Sequence, residues 1–304
     1  MTAAIELREL TKDYGSVRAL DAVSLRIEPG EIIGFLGPNG AGKTTAIRIL
    51  FDLIRPTSGA ALVLGLDCQA QSLAARGRMG YLPGEMHLYE GLTGRQTIDY
   101  FATLRQRRPD TAFVESLLTR LDFDPSRRIG AYSKGNRQKL GLILAMMHRP
   151  DVLVLDEPTS GLDPLVQDEV ARLLFEVASE GRTVFFSSHV MSEVERMCHR
   201  AAFLREGRLV AVEDVAAIKG RSLHIIEVTF AEEVPPDAFL LPGTRELQRD
   251  GNMLHLEVQD GLDAVLKAIA RYRVVDLRTE QPSLDQVFRA YYHEAVVEEH
   301  NAAS

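Results

Sequence analysis

The chain has 304 residues, a formal net charge of −8, 45% hydrophobic and 26% charged residues, enough to bury one large or two ordinary cores. That balance supplies no basic face of the kind nucleic-acid binders carry, and no nucleic-acid partner is expected. Two cysteines without a C-x-x-C pair, Cys68 and Cys198, argue against a disulfide framework or a structural zinc site, and no apolar run approaches the length of a transmembrane helix.

In chain order, "MTAAIELREL" carries charges where a signal peptide needs an apolar core. Its "AAIELREL" alternates like a strand, and "VSLRIEPGEIIGFLG" reads as two strands around a Pro29-Gly30 turn. "GPNGAGKTT", residues 37–45, then fits G-x-x-x-x-G-K-[ST]. Its glycines let successive N–H groups turn inward around phosphate oxygens, where a β-carbon would obstruct the turn. A helix is expected from near Gly42 through "KTTAIRILFDLI", with its positive end aimed at the anion. Lys43 would reach the β- and γ-phosphates, and the Thr44 hydroxyl would ligate Mg²⁺. Arg55-Pro56-Thr57-Ser58-Gly59 breaks the helix, and "ALVLG" reads as another strand.

Residues 85–148 are richer in helical patterns. "GRQTIDYFATLRQ" and "AFVESLLTRL" each place apolar residues at i, i+3, i+4 spacing. "YSKGN", residues 132–136, precedes the apolar run "LGLILAMM", and Ser133 is a good N-cap for it. "DVLVLDEP" is a short continuous apolar strand of the kind buried in parallel sheets. It ends in Asp156 and Glu157, at the edge where such a sheet opens to a ligand crevice. Asp156 is placed to hold Mg²⁺, commonly through water, and Glu157 to polarise a water attacking a γ-phosphate. A helix at "LVQDEVARLLFEVASE" and a second buried strand, "TVFFSS", follow. That strand ends at His189, so His189 and Glu157 can converge on one phosphate. The alternation indicates an α/β sheet covered by helices.

Beyond Lys219-Gly220-Arg221 the pattern changes. "SLHIIEVTF" and "NMLHLEVQ" alternate like strands, "GLDAVLKAIARY" is helical, "VVDLRT" is a strand and "SLDQVFRAYYHEAV" is helical again. Residues 220–295 read as a small α+β appendage, and "EEHNAAS" as a disordered tail.

These motifs, in this order, resemble the ATP-binding subunits of ABC transporters over roughly residues 4–218. The resemblance implies an α/β P-loop NTPase (RecA-like) core with an antiparallel β subdomain and an inserted helical subdomain at about 85–148. It places a nucleotide-binding domain at 1–219 and an accessory C-terminal α+β domain at 220–304. "GPNGAGKTT" resembles Walker A, so Gly37, Pro38, Asn39, Gly40, Ala41, Gly42, Lys43, Thr44 and Thr45 would bind ATP, with Tyr14 of "KDYGSVRAL" stacking on adenine. "VLVLDEP" resembles Walker B. "SGLD" at 160–163 resembles the D-loop, with Asp163 at a dimer contact, and His189 resembles the switch histidine.

"YSKGN" occupies the position of the signature usually written LSGGQ, with Ser133 standing 23 positions before Asp156. Ser133 and Gly135 match it; Tyr132, Lys134 and Asn136 depart, as in the drug-export-type branch. The resemblance implies that Ser133, Lys134, Gly135 and Asn136 act in trans, on ATP held by another copy's Lys43. The family's Q-loop glutamine is replaced by Gly84, which leaves Glu85 or water to serve the Mg²⁺. "GYLPGEMHLYEGLTGRQ" with "PSLDQVFRAYY" is similar to bacterial exporter ATPases whose membrane subunit is a separate chain. The partners implied are that permease and a second copy or a paralogous ATPase, on the cytoplasmic face of a bacterial membrane.

Other ATPases fit less of the chain. Translation factors with ABC domains usually carry two phosphate loops, chromosome-maintenance and DNA-repair ATPases need a long heptad insertion before the signature, and a small-molecule kinase has no use for "YSKGN" and "SGLD". A soluble regulatory ABC ATPase remains the alternative.

Overall fold

The computed structural model of the protein describes residues 2–105, 110–220, 224–258 and 261–280. The chain divides into two compact units, Met1–Val212 and Glu213–Ser304.

The first unit begins with β1 (Ile5–Tyr14) and β2 (Val17–Ile27), an antiparallel pair. Next come β3 (Ile32–Leu36), α1 (Lys43–Leu50), β4 (Ser58–Val63), β5 (Leu66–Asp67), α2 (Ser72–Gly77) and β6 (Met79–Leu82). A helical stretch follows: α3 (Gly94–Leu104), α4 (Thr111–Arg120) and α5 (Lys134–Met146). The chain then alternates through β7 (Val152–Asp156), α6 (Pro164–Ser179), β8 (Thr183–Ser188), α7 (Met191–Met197), β9 (Arg200–Arg205) and β10 (Arg208–Asp214).

Two sheets result. One has the order β2-β1-β4-β5 with antiparallel pairings; the other has the order β10-β9-β3-β8-β7-β6. Within the second, β9, β3, β8, β7 and β6 pair in parallel. Every residue of β3, β7 and β8 is buried, as expected of strands covered on both faces. Phe35, Phe185 and Phe186 are fully buried there, each contributing about 1.5–3 kcal/mol of burial free energy.

Two expectations are refined. The strands around Pro29-Gly30 are β2 and β3, but they lie in different sheets, so the turn carries the chain between layers. Helix α1 stops at Leu50, before the expected "FDLI". Asp52 takes a left-handed φ of 52°, while Leu53 N–H donates to Arg48 O and Asp52 N–H to Ile49 O. That pair of bonds is a Schellman stop built without glycine.

In the helical stretch, the Arg120 guanidinium of α4 binds both carboxylate oxygens of Glu176 and one of Glu169 on α6. Helix α5 buries every residue from Gln138 to Met146. Its apolar body is part of the core, and its first turn is the accessible part.

The second unit contains α8 (Val215–Gly220), β11 (His224–Phe230), β12 (Thr244–Asp250), β13 (Met253–Val258), α9 (Leu262–Ile269) and β14 (Val274–Glu280). The antiparallel sheet order is β12-β13-β11-β14. Ile226, Val228, Phe230, Leu254, Leu256 and Val258 alternate onto one face and form a core with Val265 and Ile269 of α9. The helix expected at "SLDQVFRAYYHEAV" and the tail "EEHNAAS" lie outside the described residues.

Candidate active site

The order β3-β8-β7-β6, all parallel, puts four carboxyl ends on one edge of the sheet. The residues that follow those strands are Gly37, His189, Glu157 and the Pro83-Gly84 pair. Such an edge is where α/β sheets open to ligands.

The loop after β3 is tight because its glycines touch backbone. A Cβ on Gly37 would lie 2.3 Å from Leu204 O, and one on Gly42, at φ 106°, 2.4 Å from Ala19 O. Gly40, at φ 84°, faces open space instead. No side chain caps α1, so its leading N–H groups stay available to an anion. Lys43 is buried, and its Nζ donates to Gly37 O (2.5 Å) and Pro38 O (2.9 Å). Burial draws the Lys43 ammonium below the ordinary lysine value, while the negative charges of Glu157 and Asp156 oppose that shift.

Thr44 Oγ1 donates to Asp156 Oδ2 at 3.0 Å, and the Ser187 hydroxyl donates to the other Asp156 oxygen. Asp156 is buried at the end of β7. A hydroxyl beside a carboxylate is the hard-oxygen pair that Mg²⁺ accepts. Among the described residues no group of three or more His, Cys, Asp or Glu could hold a metal. The Thr44 and Asp156 oxygens suit Mg²⁺, which is usually bound by one or two protein oxygens together with phosphate and water.

Glu157 follows Asp156 with a left-handed φ of 52°. Its N–H donates to the Ser187 carbonyl and hydroxyl oxygens, both at 3.2 Å, and Gln138 Nε2 of α5 donates to its carbonyl at 2.8 Å. These bonds hold a conformation that costs a non-glycine residue of order 1 kcal/mol or more. They turn the side chain outward, where Oε1 lies 2.8 Å from His189 Nδ1. A cleft of about 160 Å³ joins the phosphate loop to Glu157 and Ala19. A buried cation and a carboxylate thus border one cleft, with an imidazole bonded to that carboxylate, a set able to bind phosphate and take a proton from water.

The other expected residues lie elsewhere. Tyr14 is exposed at the end of β1, with Lys12 Nζ 5.0 Å from its ring centroid; β2, its partner, carries Ala19 into the cleft. Ser133 caps α5, accepting from Asn136 N–H at 3.3 Å. Gly135 packs on the loop after β7, where an added Cβ would sit 2.7 Å from Gly161 O. The Lys134 stem lies beside Gly161, its Cγ and Cδ 3.3 Å from where a Cβ would be. Asp163 caps α6 through Val166 N–H. Gly84 lies against Asp156, with an added Cβ 3.2 Å from Oδ2, while Glu85 is exposed.

Sequence reading passed over Ser187, Gln138, Thr159, Ser188 and Glu193. The signal for the serines was present: two hydroxyls end the otherwise apolar "TVFFSS".

A family model described as "ABC transporter" matches residues 20–160. The chain is 36% identical over 303 residues to the daunorubicin resistance ATP-binding protein DrrA2 of Streptomyces coeruleorubidus, covering 94% of each. It is 34% identical over 235 residues to the bacitracin transport ATP-binding protein BcrA of Bacillus licheniformis, covering 77% of each. A solved structure of an ATP binding subunit of an ABC transporter is similar at 27% identity and a TM-score of 0.65, over 71% of this chain and 92% of that one.

Proposed function

This chain belongs to the family of ABC transporter ATP-binding proteins, and from that premise we propose that it powers export of a drug, antibiotic or lipid through a separate membrane permease. The ATPase is the family's activity; the export role rests on relatives named for daunorubicin resistance and bacitracin transport. No helix among the described residues is long and apolar enough to cross a membrane. In this reading the path for substrate would belong to another chain, and this one would work at the cytoplasmic face of the membrane.

The observation that carries the hydrolytic reading is the 2.8 Å contact between Glu157 and His189, beside buried Lys43. Lys43 would exchange its two carbonyl acceptors for phosphate oxygens. Glu157 would take the proton of the attacking water, and His189 would hold that water and the γ-phosphate in line. Thr44 and Asp156 would hold Mg²⁺, which when bound neutralises phosphate charge. With Gly84 against Asp156, water would occupy the position the family gives to glutamine.

Two copies would meet head to tail, the α5 tip of one facing the phosphate loop of the other. The partly exposed first turn of α5, on a helix otherwise buried, supports that arrangement. Residues 85–105 would pass the motion to the permease. Tyr89 and Tyr100, edge to face at 5.9 Å, offer an apolar surface there.

Glu157→Gln tests the assignment. It should lower ATP turnover about 10²- to 10⁴-fold, the usual weight of a positioned base, with nucleotide affinity within about twofold. Wild-type turnover in this variant would remove Glu157 from its role.

A further inference from the structure

Glu193 stands in the first turn of α7, outside every motif that marks the site. Its two carboxylate oxygens accept hydrogen bonds from hydroxyls of two different segments, the loop after β7 and the end of β8. Oε1 accepts from Thr159, and Oε2 accepts from Ser188 at 2.7 Å. Thr159 and Ser188 are each 1% exposed, so neither hydroxyl has water as a substitute partner.

Those two hydroxyls have particular neighbours in the chain. Thr159 lies two residues after Glu157, and its carbonyl accepts from Leu162 N–H, shaping the turn through Gly161. Ser188 directly precedes His189, and its carbonyl accepts from Gly37 N–H at 3.4 Å, at the start of the phosphate loop. Glu193 is therefore a clamp between the loop carrying Glu157 and the loop carrying His189. The two functional side chains themselves are partly exposed and meet at the 2.8 Å contact. A single contact between partly exposed groups fixes little. The buried bridge behind it ties the two segments together, beside the Glu157 N–H bonds to Ser187 and the Gln138 bond to Glu157 O.

We propose that Glu193 is a positioning residue for hydrolysis, holding Glu157 and His189 in register through Thr159 and Ser188. The inference rests on the reading of that pair as the hydrolytic one. A carboxylate suits the task because it accepts from both hydroxyls at once. Alanine removes both carboxylate acceptors and leaves Ser188 Oγ only its longer bond to Val190 O, at 3.3 Å. Glutamine keeps one carbonyl oxygen and offers an amide donor, so one hydroxyl must turn round to accept.

The test compares Glu193→Ala, Glu193→Gln and Thr159→Val in the full-length chain, with Val194→Ala as a control for disturbed packing on the same helix. Two readouts are taken. One is kcat and KM for ATP. The other is the imidazole NMR signal of His189 in nucleotide-free protein, identified by its loss in His189→Gln. Glu193→Ala should lower kcat at least tenfold with KM within twofold, and split or broaden the His189 signal. Glu193→Gln should recover most of the loss. Thr159→Val, close to isosteric, should show a smaller loss of the same kind and serves if the alanine variant does not fold. Val194→Ala should leave the kcat to KM pattern and the signal unchanged.

Wild-type kcat, or an unmoved His189 signal, in folded Glu193→Ala or Thr159→Val would overturn the proposal. An equal loss in Val194→Ala would also overturn it. Failure of the hydrolytic reading is separable: an active Glu157→Gln would remove Glu157 as the base while the His189 signal still reported on the clamp.

Discussion

Lys43 is buried, and its ammonium donates to two carbonyls of its own loop; Lys134, the first residue of α5, is exposed, and its stem rests on Gly161. The first sits where strand, loop and helix converge, with Thr44 bonded to Asp156 beside it. The second sits on a helix whose apolar body is buried and whose tip packs on the loop after β7 and reaches Glu90 through Arg137. One region is closed within its own chain and organised for an anion. The other is presented outward, with Ser133 used as a cap. The contrast matches the proposed division of labour, in which the phosphate loop binds ATP in its own chain and the α5 tip acts on ATP held by another.

The largest break in this contrast should come from Lys43→Ala. It removes the buried cation that would meet the phosphates and leaves two carbonyls and two carboxylates without it. Loss of a preorganised electrostatic contact of this kind costs about 10²- to 10³-fold in rate. Both nucleotide affinity and turnover should fall, read by fluorescent-nucleotide titration and phosphate release. Retained affinity with lost turnover would mean that Lys43 acts only in the chemical step.

Gly135→Ala should affect the other region alone. The new Cβ would lie 2.7 Å from Gly161 O, and backbone yields less readily than a side-chain end. Alanine raises helix propensity by up to about 1 kcal/mol, while overpacking costs about 1–3 kcal/mol. The loop at 160–163 should therefore shift from the α5 tip. Turnover should fall about tenfold, equivalent to about 1.4 kcal/mol, with nucleotide affinity of the isolated chain unchanged. A parallel loss of affinity would show that the two regions are not separate.

The sequence made the closed region far more legible than the open one. Continuous apolar runs identify β3, β7 and β8, and strand carboxyl ends then locate Lys43, Asp156, Glu157 and His189. Spacing along the chain suffices there because parallel neighbours share an edge. It does not suffice for pairings set by side chains distant in sequence. Glu193 meets Thr159 34 positions away, and Gln138 reaches Glu157 O across 19. Neither has a local pattern to announce it. The assignment of β2 and β3 to separate sheets was illegible for a related reason: a Pro-Gly turn sets a change of direction, and the sheet a strand joins depends on remote pairing. In the second unit, half-buried strands alternate and read clearly, except β12, where most residues are exposed.

The smallest effect should come from Lys134, and it separates charge from packing at the α5 tip. The resemblance places glycine at this position, so a lysine here adds both an ammonium and a four-carbon stem. The observed contact belongs to the stem, against Gly161. Lys134→Met keeps most of that stem and removes the charge. Turnover should stay within about twofold of wild type, under 0.5 kcal/mol, and its salt dependence should not change. Lys134→Gly removes both and should lose more, because Gly161 then has no stem beside it. If methionine and glycine lower turnover equally, and the loss grows at low ionic strength, the ammonium faces an anion across the interface and the stem is incidental. That result would make the open region a cationic partner to phosphate, a function the closed region already supplies through Lys43.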